Sequence, residues 1–104
     1  MTIKHIVIWQ LHEHAEGADR AANRERVKAQ LLTCANLVPG MLRYEVATAN
    51  EASAGLEATC DVVLYSEFRD TAALEAYQNH PGHLAIKDFV AAVRKHRYCM
   101  DYEC

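Results

Sequence analysis

Ile3-Lys4-His5-Ile6-Val7-Ile8-Trp9-Gln10-Leu11 decides how this chain folds. The odd positions, Ile3, His5, Val7, Trp9 and Leu11, form one face of a strand. The even positions put Ile6 and Ile8 on the other face. A half-buried strand would alternate apolar with polar; two apolar faces mark a strand covered on both sides. Residues 59–68 have the same character, with Cys60, Val62 and Leu64 interleaved with Asp61, Val63 and Tyr65.

Working outward, residues 12–17 are a polar connection. His12, Glu13, His14 and Glu16 resemble a metal cluster, but no further ligand stands near them, so a solvated loop is expected. Residues 18–38 read as a helix, because Val27, Leu31, Cys34 or Ala35, and Val38 make one apolar stripe. Arg20, Arg24, Glu25, Lys28 and Gln30 fill its solvated face, and Pro39-Gly40 should stop it. Met41–Thr48 is a strand nearer an edge, with Leu42, Tyr44 and Val46 alternating with Arg43, Glu45 and Ala47. Residues 50–57 form a loop. Asp70 caps a helix that carries Leu74 and Tyr77 on one side.

That helix breaks at His80-Pro81. Proline pushes the preceding residue out of helical geometry and is well suited to the first position of a new helix. The new helix, residues 81–95, buries Ile86, Phe89 or Val90, and Val93. His83 falls in its first turn on the buried stripe. The positive end of the helix dipole there disfavours imidazolium, so a neutral, basic His83 is expected. His80 reads as a helix-start residue. Residues 96–103 are the last strand, with Tyr98, Met100 and Tyr102 on one face.

The order β-α-β-β-α-β, with the second helix split at Pro81, places the chain in the α+β class as a ferredoxin-like fold: an antiparallel sheet with helices on one face. Helices cover only one face, yet the first and third strands are apolar on both. A second copy must cover the other, giving an isologous homodimer whose two sheets form an α/β barrel.

Bulk properties narrow the partners. A length of 104 residues makes residues 1–104 one domain. A net charge of −3 and a pI near 6.0 give no basic face for nucleic acid. No apolar run nears the ~18 residues needed to span a membrane. Residues 1–5 enter a strand at once with no targeting pattern, so the expected location is the cytoplasm. The four cysteines, Cys34, Cys60, Cys99 and Cys104, form no Cys-x-x-Cys pair and are expected as free thiols. Cys34 is placed in a helix, and Cys60 and Cys99 in strands, as small buried hydrophobes; Cys104 is terminal and exposed.

Lys4-His5-Ile6-Val7, Pro39-Gly40, Asp61-Val62-Val63-Leu64-Tyr65, Tyr77-Gln78-Asn79-His80-Pro81-Gly82-His83 and Asp101-Tyr102 together resemble the stress-responsive A/B barrel domain family, over essentially the whole chain. The resemblance implies a ferredoxin-like protomer and a homodimer. Within the family the pattern is similar to that of the olivetolic-acid-type polyketide cyclases, which work without a cofactor. It implies a histidine base at His83, an assisting tyrosine at Tyr77 and a pocket histidine at His5. The aromatic residues those cyclases carry on the first helix are replaced here by Arg24 and Val27, so their product does not transfer.

The chemistry expected is therefore a cofactor-free lyase or cyclase. His83 would take a proton, Tyr77 would donate to an oxygen, and His5 would orient the substrate. Val7, Trp9, Val27 and Ile86 would line the pocket around a small apolar or aromatic ligand. No metal or cofactor is called for; a site of His5 and His83 has no evident third ligand. Two alternatives stand beside this reading. One is a non-enzymatic stress-response or ligand-binding dimer in which His83 and Tyr77 are core residues. The other, by fold analogy, is a monooxygenase-like barrel.

Overall fold

A computed structural model, which describes residues 1–104, places β1 (Ile3–Leu11) inside a four-stranded antiparallel sheet. Its neighbours are β5 (Val62–Phe68) and β6 (Arg94–Glu103), and β4 (Met41–Thr48) forms the far edge beside β5. The order β4-β5-β1-β6, with helices between β1 and β4 and between β5 and β6, is the ferredoxin-like arrangement. The helices are α1 (Arg20–Leu32), α2 (Thr71–Asn79), α3 (Pro81–Leu84) and α4 (Lys87–Val93).

The core lies between the sheet and these helices. Val7, Trp9, Leu64 and Phe68 of the sheet meet Val27, Leu31, Tyr77 and Val93, all buried. Each such side chain contributes ~1.5–3 kcal/mol by leaving water. The register sets the opposite face. Ile6 stands between Tyr65 and Met100, and Ile8 between Val63 and Tyr98. Tyr98 and Met100 are 59% and 65% exposed, so this second apolar face is uncovered in the protomer. Its margin is polar: Lys4 pairs with Glu67 at 3.9 Å, and Arg43 with Glu45.

Several boundaries differ from the sequence reading, each for a local reason. The connection after β1 is not plain loop. The two-residue strands β2 (His14–Ala15) and β3 (Ala18–Asp19) form a hairpin whose turn residues, Glu16 and Gly17, both have positive φ. That is the turn geometry matching strand twist. Asp19 then caps α1 by accepting from the Ala22 N–H at 2.8 Å, which delays the start of α1 to Arg20. α1 ends at Leu32, well before Pro39: the Thr33 hydroxyl donates to the Gln30 carbonyl, and Asn36 adopts a left-handed φ of 61°. Cys34 consequently lies in a buried turn, not in the helix.

In β4 the pairing register slips between Met41 and Arg43. Leu42 is therefore the extra residue of a bulge, 54% exposed and off the face of Tyr44 and Val46. β5 begins at Val62, which leaves Cys60 in the preceding loop. The buried Asp61 carboxylate accepts from the Leu11 N–H at 2.7 Å and from Arg24 Nε at 2.8 Å, pinning the entry to the strand. The helix expected over residues 81–95 breaks again at Ala85 and Ile86, and its last residues join β6, which starts at Arg94. Cys99 of that strand is exposed, not buried. No helix is long and apolar enough to cross a membrane.

Candidate functional site

The helical segment over residues 71–93 is broken twice. Between it and strands β1 and β5 is a cavity of about 610 Å³. His5, Val7, Trp9, Tyr77, His83 and Ile86 all line it. Of the residues expected there, Val27 is the exception: it is fully buried in the core and does not reach the cavity.

His83 is held by the start of α3. The residue before Pro81 is extended, as its neighbour demands, and His80 Nδ1 accepts from the Gly82 N–H at 2.9 Å. That cap turns the chain so that His83 Nδ1 sits 3.1 Å from the Gln78 carbonyl oxygen. A carbonyl can only accept, so Nδ1 carries the hydrogen and Nε2 of the neutral ring keeps its lone pair. Burial pushes the His83 pKa below its usual 6.5, and the cations Lys87 and Arg97 push the same way. The expected direction is met, but through desolvation rather than a helix end. His83 is half-buried, and α3 has only four residues, too few for a substantial dipole.

The Tyr77 ring packs on the His83 ring with centroids 4.7 Å apart. Its hydroxyl lies 3.2 Å from that of Tyr44, which in turn is 2.7 Å from the Leu31 carbonyl oxygen. Burial raises the Tyr77 pKa to about 12, so the hydroxyl stays protonated. Tyr44 is pushed still higher, first by burial and then by Tyr77.

His5 is 3% exposed, and its Nδ1 pairs with the Asp101 carboxylate, its register partner on β6. A carboxylate on Nδ1–H fixes both tautomer and ring orientation. Cys99 Sγ lies 3.9 Å from the same nitrogen. His5 Nδ1, Cys99 Sγ and an Asp101 oxygen fall within 4.8 Å of one another, a donor set that could hold a divalent ion; His83 is not part of it.

Sequence reasoning missed three features. Tyr44 was seen only as strand alternation, Asp101 faces His5 only through strand register, and Lys87, Arg94 and Arg97 converge on the cavity from two elements. No local motif announces any of these.

The sheet order, the helices on one face and the cavity beneath them define a ferredoxin-like α+β protein. The chain belongs to the stress responsive A/B barrel domain family, whose model matches residues 3–104. No curated protein matches it. Among solved structures, it is similar to a dimeric protein of unknown function and ferredoxin-like fold from Bacteroides fragilis (TM-score 0.78, 25% identity, 99% of this chain and 96% of that one). It is also similar to SnoaB, a cofactor-independent oxygenase from Streptomyces nogalater (0.71, 17%, 99% and 92%). A third is a hydroxynitrile lyase from Passiflora edulis (0.70, 17%, 97% and 91%). At 17% identity the last two likenesses extend to the fold alone.

Proposed function

We propose that this chain forms a homodimer through its open sheet face, and that the cavity under its helices binds a small carbonyl compound and moves a proton on it without a cofactor. One observation carries the chemistry: His83 Nδ1–H is held by the Gln78 carbonyl, leaving Nε2 as a lone pair in a cavity that Tyr77 also lines. Nε2 takes a proton from carbon next to a carbonyl. The C–H electron pair moves onto the carbonyl oxygen as an enolate, and the Tyr77 hydroxyl turns its one hydrogen from Tyr44 to donate to it. His5, fixed by Asp101, orients the substrate, and Val7, Trp9 and Ile86 supply its apolar wall. This is the first step of a lyase or an aldol-type cyclase.

Uncovered apolar area supports the dimer. Ile6, Ile8, Val63, Tyr98 and Met100 form one patch with a charged margin, and two-fold association would bury it. The Bacteroides fragilis relative is described as dimeric.

The test is exchange of α-hydrogens. Carbonyl compounds that bind would be incubated in D₂O with wild type and with His83→Gln, and exchange followed by proton NMR. Wild type should accelerate exchange above buffer, and a folded His83→Gln variant should not. Binding without acceleration by wild type would leave a ligand-binding dimer without turnover. The engagement of the Tyr77 hydroxyl by Tyr44 favours that second reading, since it gives Tyr77 a structural partner.

A further inference from the structure

Trp9 is 4% exposed, lines the cavity, and has an indole Nε1–H with no hydrogen-bond partner in the chain. An orphaned buried donor costs about 1–3 kcal/mol, so one beside a cavity calls for an acceptor. Around the same cavity stand Lys87, Arg94 and Arg97 against a single carboxylate, Asp88. None of the three cations makes an ion pair within the chain, and all three line this one cavity, which the other unpaired cations, Arg20, Arg26 and Lys95, do not. Unpaired positive charge beside an apolar wall is complementary to an anion carrying an apolar body.

We infer that the cavity takes an organic carboxylate whose charged end lies at Lys87, Arg94 and Arg97, and whose carbonyl oxygen accepts from the Trp9 Nε1–H. This rests on the pocket reading above and gives it a substrate class, a keto acid with an apolar chain. A carboxylate at the mouth satisfies charge-assisted donors, and a carbonyl deeper in satisfies the indole. The same oxygen is the one on which charge would develop when His83 removes the neighbouring proton.

Three probes separate the parts: 3-phenylpropanoate, its methyl ester, and 4-phenyl-2-oxobutanoate. Their affinities would be measured by calorimetry on wild type and on the double variant Arg94→Gln/Arg97→Gln. The acid should bind roughly tenfold more tightly than the ester. That preference should vanish in the double variant and shrink at about 0.5 M salt, where screening is short-ranged. The chain has one tryptophan, so a ¹H–¹⁵N spectrum has one indole cross-peak to follow. The keto acid should move its proton downfield and the acid without a ketone should not. If ester and acid bind equally, or the indole peak ignores the ketone, the carboxylate assignment is overturned while the pocket stands. If no probe binds at all, both the assignment and the pocket reading fall.

Discussion

The hydroxyls of Tyr44 and Tyr77 stand 3.2 Å apart, and Tyr44 lies a further 2.7 Å from the Leu31 carbonyl oxygen. Tyr44 has one hydrogen, and the carbonyl can only accept it, so Tyr77 donates to Tyr44. The pair thus ties β4 and α2 to the end of α1 beside the cavity, which Tyr77 and Leu31 line. Tyr44→Phe removes an acceptor from Tyr77 and a donor from Leu31. It should cost about 1–2 kcal/mol. Urea denaturation checks this, and an unchanged midpoint would mean that the chain of hydrogen bonds does not persist in solution.

His83 sets a pH dependence. Its folded pKa lies below 6.5, lowered first by burial. Above that pH both folded and unfolded states hold a neutral ring, and the group is silent. As pH falls through 6.5 the unfolded chain takes up a proton that the folded chain resists, so stability drops, and the drop levels off below the folded pKa. Unfolding midpoints measured from about pH 8 to about pH 5 should fall less steeply in His83→Gln than in wild type. Parallel curves would show that burial does not act on this ring.

Met100 tests the dimer. It sits on the open face beside Ile6 and is 65% exposed in the protomer. Met100→Glu would place like charges across a two-fold interface and leave them desolvated. Light scattering after size exclusion should change from dimer to folded monomer, with far-UV circular dichroism intact. A variant that stays dimeric would move the interface elsewhere.

The thiols should separate by reactivity. Cys34 is fully buried, and burial raises its pKa; Cys99 is raised by burial and then by the Asp101 charge. Thiolate is the reacting form. With Ellman's reagent, followed by peptide mass spectrometry, exposed Cys104 should label before Cys99, and Cys34 only on unfolding. Early labelling of Cys34 would contradict the packing at the end of α1.

Asp61 is the buried pin between β1, α1 and β5. Asp61→Ala strands the Arg24 guanidinium and the Leu11 N–H, and should cost about 3 kcal/mol. Replacing Arg24 by Met in the same chain should recover part of that loss, since no charge is then left unpaired. Thermal unfolding of the single and double variants reads both effects.

Much of this was legible in the residues. Ile6 and Ile8 opposite Val7 and Trp9 require two covered faces. Pro81 sets a break, and Asp70 caps α2 by accepting from the Ala73 N–H at 2.9 Å. Less legible were the ends of elements. The stop after Leu32 comes from Thr33 and Asn36 competing locally with the helix, an effect weaker than the Pro39-Gly40 signal that obscured it. Leu42 reads as a core position because alternation assumes an unbroken register, and a bulge shifts it by one.

The sequence by itself determined the α+β order, the split second helix, the second apolar face and the placing of His83, because each follows from local periodicity or from the backbone limits of single residues; His5 and Tyr77 were singled out by the family resemblance. Tertiary structure alone decided that Val27 is core while Trp9 borders the cavity, that Tyr44 engages Tyr77, and that Asp101 holds His5. Those relationships join residues 33 and 96 positions apart. They exist only once strand register and helix breaks have fixed which side chains share a space, and no pattern along the chain encodes that.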